Sequence, residues 1–254
     1  MPFTLAHPAI VVPLAWANPK LWVLSALVVG SMAPDFEYFV FLRPVRTIGH
    51  DLIGIPLLCV PAGLAVLWAF HCVMKRPLVL LLPGPLRRRL LGACGPFPFR
   101  PAGRFLAIVA SLAVGAFSHI AWDSSTHENG WVVLRFPPLA APVVAGVRVF
   151  KILQHGSTIL GLALLMVWSW RWLRSRAREP DGPGLPDGLR YVVGVALLTV
   201  SCGAGAAACL LTSGSGLHRS LVAFVIAALS AAWVAALAYS VGFRAWERRS
   251  RATA

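Results

Sequence analysis

Charge is what this chain has least of. Only 13% of its 254 residues are Asp, Glu, Lys or Arg, about half the roughly one-quarter share of an average soluble protein. Acidic residues are the scarcer kind, nine against 23 Lys and Arg. With 58% hydrophobic residues and a mean hydropathy of +0.74, a soluble globular domain, a disordered chain and a collagen-like fibre are all excluded. The five cysteines (Cys59, Cys72, Cys94, Cys202 and Cys209) form no Cys-x-x-Cys pair. Four of them lie in apolar stretches, where cysteine acts as a small hydrophobe, so neither a disulfide framework nor a cysteine zinc site is expected. There is no Gly-x-Ser-x-Gly elbow and no phosphate-cradling glycine loop with lysine.

What is present is a series of long uncharged runs. Five of 18 residues or more follow residue 50: 52–74, 105–122, 152–170, 191–218 and 220–243. A helix needs about 20 mostly apolar residues to cross the hydrocarbon core. The expected fold is an all-α, polytopic helical membrane bundle. Its net charge of +14 falls almost wholly between these runs, where topology determinants belong. Nucleic acid is not expected as a partner, since no aromatic-interleaved basic groove accompanies the charge. The cluster Arg87-Arg88-Arg89 reads as an interfacial segment facing anionic headgroups.

Counting positive residues by side gives sixteen in 75–104, 171–190 and the C-terminal tail, against six (Arg43, Arg46, Arg135, Arg148, Lys151 and Arg219) on the other. The positive-inside bias places the richer side, with the C-terminus, in the cytoplasm. Residues 1–50 allow two readings: a single crossing over 21–42, giving six spans, or a short helical hairpin over 8–33 that turns at Asn18-Pro19-Lys20. The hairpin is preferred because it returns His7 to the extracytoplasmic side. Ala15-Trp16-Ala17 mimics a signal-peptidase site, but no positive region precedes it, so no cleaved signal is expected. Three regions follow: residues 1–175 as a membrane-embedded, His/Asp-bearing domain of catalytic type, 176–188 as a breaker-rich cytoplasmic linker, and 189–254 as a two-helix membrane hairpin with a basic cytoplasmic tail.

The few carboxylates keep company with the histidines. Glu179, Asp181, Asp187 and Glu247 belong to the linker and tail, as solvated charges would. Asp35, Glu37, Asp51, Asp123 and Glu128 lie at the ends of apolar stretches, where a carboxylate is costly and usually has a partner and a task. In Ser118-His119-Ile120-Ala121-Trp122-Asp123-Ser124-Ser125-Thr126-His127, His119, Asp123 and His127 recur every four residues and form one stripe on a helix. Such a stripe can grip one cation. It can equally be a hydrogen-bonded helix end without metal. Glu128-Asn129-Gly130 supplies that end.

By the charge count, Asp35, Glu37, His50, Asp51, Asp123, His127 and His155 all reach the extracytoplasmic face from separate segments. His71 and His218 are excluded from this set. The expected metal ligands are therefore His7, Asp35, His50, His119, Asp123, His127 and His155, with a divalent metal, most simply Zn²⁺, as cofactor. Glu37, Asp51 and Glu128 are the candidates for base or ligand-orienting groups. A serine hydrolase built on Ser118, Ser124 or Ser125 with His119 is a weaker reading.

These residues also carry a resemblance. Met1-Pro2-Phe3-Thr4-Leu5-Ala6-His7-Pro8-Ala9, Gly30-Ser31-Met32-Ala33-Pro34-Asp35-Phe36-Glu37-Tyr38-Phe39, Ser118 to His127 and Gln154-His155-Gly156-Ser157 resemble blocks of the domain-of-unknown-function-4184 family of bacterial membrane proteins, over about residues 1–175. More distantly, Pro34-Asp35-x-Glu37, Gly49-His50-Asp51 and Ser118-His119-x-x-x-Asp123 are similar to membrane-bound metal-dependent hydrolases of the YdjM type, and through them to zinc-dependent phospholipase C. That similarity implies a metal site from Asp35, His50, His119 and Asp123, with His7 as a further ligand. Glu37 stands where those proteins usually have Asp, and Asp51 where Ser commonly follows the His.

The expected function is metal-dependent hydrolysis of a phosphoester in a lipid or envelope precursor. It would take place at the extracytoplasmic face of a bacterial inner membrane, with a membrane lipid or amphiphilic small molecule as substrate. The alternative is a non-enzymatic membrane protein whose His/Asp cluster serves as an ion or proton site, or as a structural metal clip. A relay would need ionisable residues continuing toward the cytoplasmic face, where only His71 lies deep in a span, and the last two spans carry no Asp, Glu, Lys or Arg.

Overall fold

A bilayer offers the backbone no water, so a spanning segment must satisfy its amides internally, and a helix does so. The computed structural model describes residues 3–144, 146–180 and 185–252. Residues 181–184 of the expected linker, with Asp181, lie outside the described residues.

The N-terminal hairpin is present. Helix α1 (Pro8–Ala17) begins with proline at its first position, where the missing N–H is no loss. It ends at Asn18, whose Oδ1 accepts the Leu21 N–H at 3.2 Å as the chain reverses. Helix α2 (Leu24–Gly30) returns. A 3-10 turn over Ala33–Asp35 then leads into α3 (Phe36–Phe41). The segments Leu24–Gly30 and Ala33–Phe41 meet at a 40° bend and count as at most one broken span.

Among the described residues, five helices are long and apolar enough to cross a membrane. The first, α4 (Ile55–Leu81), contains π-helical stretches at Ile55–Cys59 and Ala69–Met74. After the short α5 (Gly84–Leu90) come α6 (Ala102–Thr126) and α7 (Trp131–Arg135). A small antiparallel hairpin, β1 (Pro142–Val144) with β2 (Val147–Arg148), follows. It turns at Gly146, whose φ of +76° suits glycine. The remaining spans are α8 (Val149–Arg174), α9 (Asp187–Leu211) and α10 (Leu217–Ala252). Their outward side chains are apolar, such as Met166, Leu198 and Leu210.

The chain divides into two units: Met1–Phe36, Arg46–Leu67 and Pro98–Trp172, and Glu37–Val45, Trp68–Phe97 and Leu173–Ala254. In the first, α2 packs on α6 at glycines. A Cβ at Gly30 would strike the backbone of Leu112, and one at Gly115 would strike the backbone of Leu27 and Ser31. Small residues let membrane helices approach this closely. Val11, Ala15 and Leu27 form a core patch there, with Ala33, Cys59 and Ala116 a second beside it. The Val23 N–H donates to Ser111 Oγ at 3.0 Å, fixing the height of α2 on α6.

In the second unit α9 and α10 form a hairpin. Phe224 lies over Gly205, where a Cβ would meet its ring at 2.9 Å. Arg89 Nη1 donates to the carbonyls of Leu173, Arg174 and Arg176 at 3.3, 3.0 and 3.0 Å. They lie at and just past the end of α8, where helix carbonyls run out of intrahelical donors. Glu247, expected as a solvated tail charge, instead takes an ion pair from Arg76 at 2.6 Å. The physical reason is that α10 runs through the tail as helix and carries Glu247 back alongside the Arg76 guanidinium.

Candidate metal centre

The close approach of α2 and α6 decides the first ligand. It brings the Ser31 carbonyl 2.8 Å from His119 Nδ1, so Nδ1 carries the proton and Nε2 turns inward as a lone pair. His119 is wholly buried, and its Nε2 makes no hydrogen bond. One turn further, Asp123 projects from the same face of α6.

The bend after α2 places Asp35 in a corner with no solvent exposure. Its Oδ2 accepts a 2.6 Å hydrogen bond from Thr4 Oγ1, and its Oδ1 has no hydrogen-bond donor. His50 arrives on the loop before α4. The π-helical start of α4 supports that loop, since Cys59 Sγ lies 3.5 Å from the Gly49 carbonyl as a weak donor. His7, at the head of α1, stacks on His119 with ring centroids 3.7 Å apart. Neither of its nitrogens is hydrogen-bonded.

The distances describe one cluster. His50 Nε2 is 3.2 Å from Asp35 Oδ1 and 3.8 Å from Asp123 Oδ2. His119 Nε2 is 3.6 Å from Asp35 Oδ1 and 3.7 Å from Asp123 Oδ2. His7 Nε2 is 3.6 Å from Asp123 Oδ1. Separations of 3.6–3.8 Å are too long for good hydrogen bonds. They exceed by only a few tenths of an ångström the roughly 3.3–3.4 Å that bonds of about 2.0–2.1 Å in a tetrahedral shell set between donors. Among the described residues, two triads could hold an ion, His7–His119–Asp123 and Asp35–His50–His119. The donor set of imidazole and carboxylate suits zinc and its neighbours.

The other expected ligands are placed differently. Helix α6 stops at Thr126, and His127 turns into extended backbone at φ −120°, ψ 145°. Its ring folds back, with Nδ1 3.6 Å from Asp123 Oδ2 and 3.1 Å from the Asp123 carbonyl. Burial holds its pKa down to about 4 against the opposing pull of Asp123, with Arg46 lowering it further. The imidazole is therefore neutral at pH 7. The Gln154 amide lies 3.4 Å from its Nε2, and Lys151 donates to Gln154 Oε1 at 2.8 Å.

His155 is exposed on α8, while Gln154 is wholly buried. Among the base candidates, Glu128 is two-thirds exposed and paired with Arg148. Asp51 is exposed, and its carbonyl accepts the Gly54 N–H that closes the loop. Glu37 is buried but belongs to the second unit. His71 stacks on Phe97 in that same unit, and His218 is exposed.

Sequence reasoning passed over Thr4, Ser31, Arg46 and Gln154. Arg46 Nη2 reaches Asp123 Oδ2 at 3.0 Å with its side chain 38% exposed, putting a cation at the rim. Thr4, Ser31 and Gln154 all stand inside the motif blocks already quoted, beside the histidines and carboxylates that drew attention. Helix phase could have chosen Gln154 over His155: Gln154, Ser157 or Thr158, and Gly161 share one face, and Gly161 meets Ala6 of the hairpin.

A family model described as "Domain of unknown function (DUF4184)" matches residues 1–241. The chain belongs to this family. The match runs past the residue-175 limit of the motif blocks into the last two spans, so the DUF4184 unit includes the α9–α10 hairpin. No curated protein and no solved structure matches the chain.

Proposed function

We propose that the cluster binds a divalent cation, most simply Zn²⁺, and that the protein is a metal-dependent hydrolase of phosphoesters on amphiphilic molecules. The observation that carries this reading is the convergence of buried, hydrogen-bond-free donor atoms, His119 Nε2, Asp35 Oδ1, Asp123 Oδ1 and both His7 nitrogens. Leaving such groups unmatched in an apolar interior costs several kcal/mol in aggregate, and a shared cation removes the cost.

Asp35, His50, His119 and Asp123 would be the ligands, with His7 as a fifth. A bound zinc supplies a water acidified to a pKa of about 7 and a Lewis acid for the phosphoryl oxygen. The chain's own groups do the rest. Ser31 and Thr4 hold His119 and Asp35 in one orientation. Arg46, with Lys151 close behind His127, offers positive charge to an anionic group at the rim. Asp51 is exposed and Glu128 is paired with Arg148, while His127, neutral and held by the Asp123 carbonyl and the Gln154 amide, flanks Asp123 rather than acting as its base. The cluster lies at the ends of α4, α6 and α8, at headgroup depth, which suits a lipid or envelope-precursor substrate. By the charge asymmetry that end is extracytoplasmic, in a bacterial inner membrane.

The test is metal analysis of detergent-purified protein together with hydrolysis of a short-chain phospholipid. Wild type should retain about one equivalent of zinc, on the shared-ligand geometry above, and hydrolyse the lipid, and His119→Ala should do neither. Metal-free wild type, or hydrolysis indifferent to His119→Ala, would sink the reading.

A further inference from the structure

The metal cluster has an apolar annex. A cavity of about 180 Å³ opens between α1, α6 and α8, lined by Ala6, His7, Ile10, Trp122, Leu160 and Leu164. We infer that this groove seats one aliphatic chain of a membrane lipid, with the lipid's headgroup end at His7. The inference deepens the metal-site reading and rests on it only for what the headgroup meets.

Three observations commit the groove to an alkyl chain. Apart from His7 at its cluster end, its polar side chains are turned on each other, since Trp122 Nε1 donates to Ser157 Oγ at 3.2 Å. The groove therefore shows a ligand mainly hydrocarbon. It runs along the membrane-spanning α8 from Ser157 to Leu164, roughly 10 Å at 1.5 Å per residue, from the cluster's end of the span toward its middle. A lipid chain lies in that direction and at that depth. Finally, its open side is lipid-facing, with Leu160 and Leu164 both more than half exposed, so a chain can enter sideways from the bilayer.

His7 joins the two sites. The same ring that lines the groove is stacked on His119 and lies 3.6 Å from Asp123. A chain in the groove thus places the first polar atoms of its lipid beside the cluster. Gly161 keeps the wall thin: a Cβ there would meet the Ala6 carbonyl at 3.0 Å, so a larger residue would push α1 off α8.

The experiment uses the full chain in vesicles of phosphatidylglycerol and phosphatidylethanolamine, doped with a phospholipid bearing a diazirine on one acyl chain. After irradiation, labelled peptides are mapped and zinc is measured on the same samples. Label should concentrate on the segments holding Ile10 and Leu160–Leu164, above the level at lipid-exposed Leu198. It should drop to that level in Leu164→Trp and in Ile10→Trp, which fill the groove from opposite walls, while zinc content stays that of wild type. Labelling at Ile10 and Leu164 no higher than at Leu198 in wild type would overturn the inference, as would labelling unchanged in both variants. Groove labelling in protein that holds no zinc would support the chain site while defeating the metal reading, so the two fail separately.

Discussion

His7 lies face to face on His119, their ring planes inclined by only 17°. The stack explains how His7 is held in a buried cluster although neither ring nitrogen makes a hydrogen bond. Packing supplies the position, and the nitrogens stay available. Phenylalanine at position 7 keeps the stack and removes the nitrogens. In His7→Phe we expect unchanged helix content in detergent and a fall in zinc affinity at least as large as the roughly 10–100-fold lost with an outer partner. Full zinc affinity would show that His7 only packs.

Thr4 tests the support of the opposite ligand. Its hydroxyl donates to Asp35 Oδ2 at 2.6 Å, leaving Oδ1 to face His50 and His119. Thr4→Val is nearly isosteric and removes only the donor, so Asp35 can rotate. Zinc affinity should fall about 10–100-fold, and Thr4→Ser should restore it. Equal affinity in all three proteins would mean that burial alone orients Asp35.

Much of this arrangement was legible in the sequence, for reasons of period and cost. Uncharged runs the length of a bilayer can be little else than spans, and the Asn18-Pro19-Lys20 break identified the hairpin that brings His7 back. Spacing of four put His119 and Asp123 on one face. What the sequence did not disclose depends on contacts between distant segments. Arg46 pairs with Asp123 across a loop of no regular structure, and no local pattern marks it. Gln154 and His155 are adjacent, and only the orientation of α8 against the hairpin decides which one faces inward. Ser31 acts through its carbonyl, which any residue there would offer, and what matters is the glycine pair that lets α2 approach α6.

The sixteen-to-six division of positive charge predicts the sidedness. An alkaline phosphatase fusion after residue 135 should be active, because the loop following α6 and α7 would lie outside the cytoplasm. A fusion after residue 90, within the Arg87–Arg89 segment, should be inactive. The reverse pattern would put the cluster at the cytoplasmic face and require a substrate from that leaflet.

Arg46 separates metal binding from anion binding. Its guanidinium is 3.0 Å from Asp123 Oδ2, so without metal it is that carboxylate's nearest fixed cation. A divalent ion bound to Asp123 would compete with Arg46 for the same oxygen. Removing the arginine should therefore leave zinc affinity unchanged or raise it, the opposite of removing a ligand. A guanidinium displaced from Asp123 can turn its charge toward an anionic group at the rim, and hydrogen bonds from charged donors are worth about 1.5–3 kcal/mol. Titration of inorganic phosphate into zinc-loaded protein should thus show binding weakened by roughly 10–100-fold in Arg46→Gln. Arg46→Lys should recover part of the loss, since it restores charge without the planar fork. Loss of zinc from Arg46→Gln with phosphate affinity untouched would instead make Arg46 a structural partner of Asp123 and remove the main source of anion recognition at the rim.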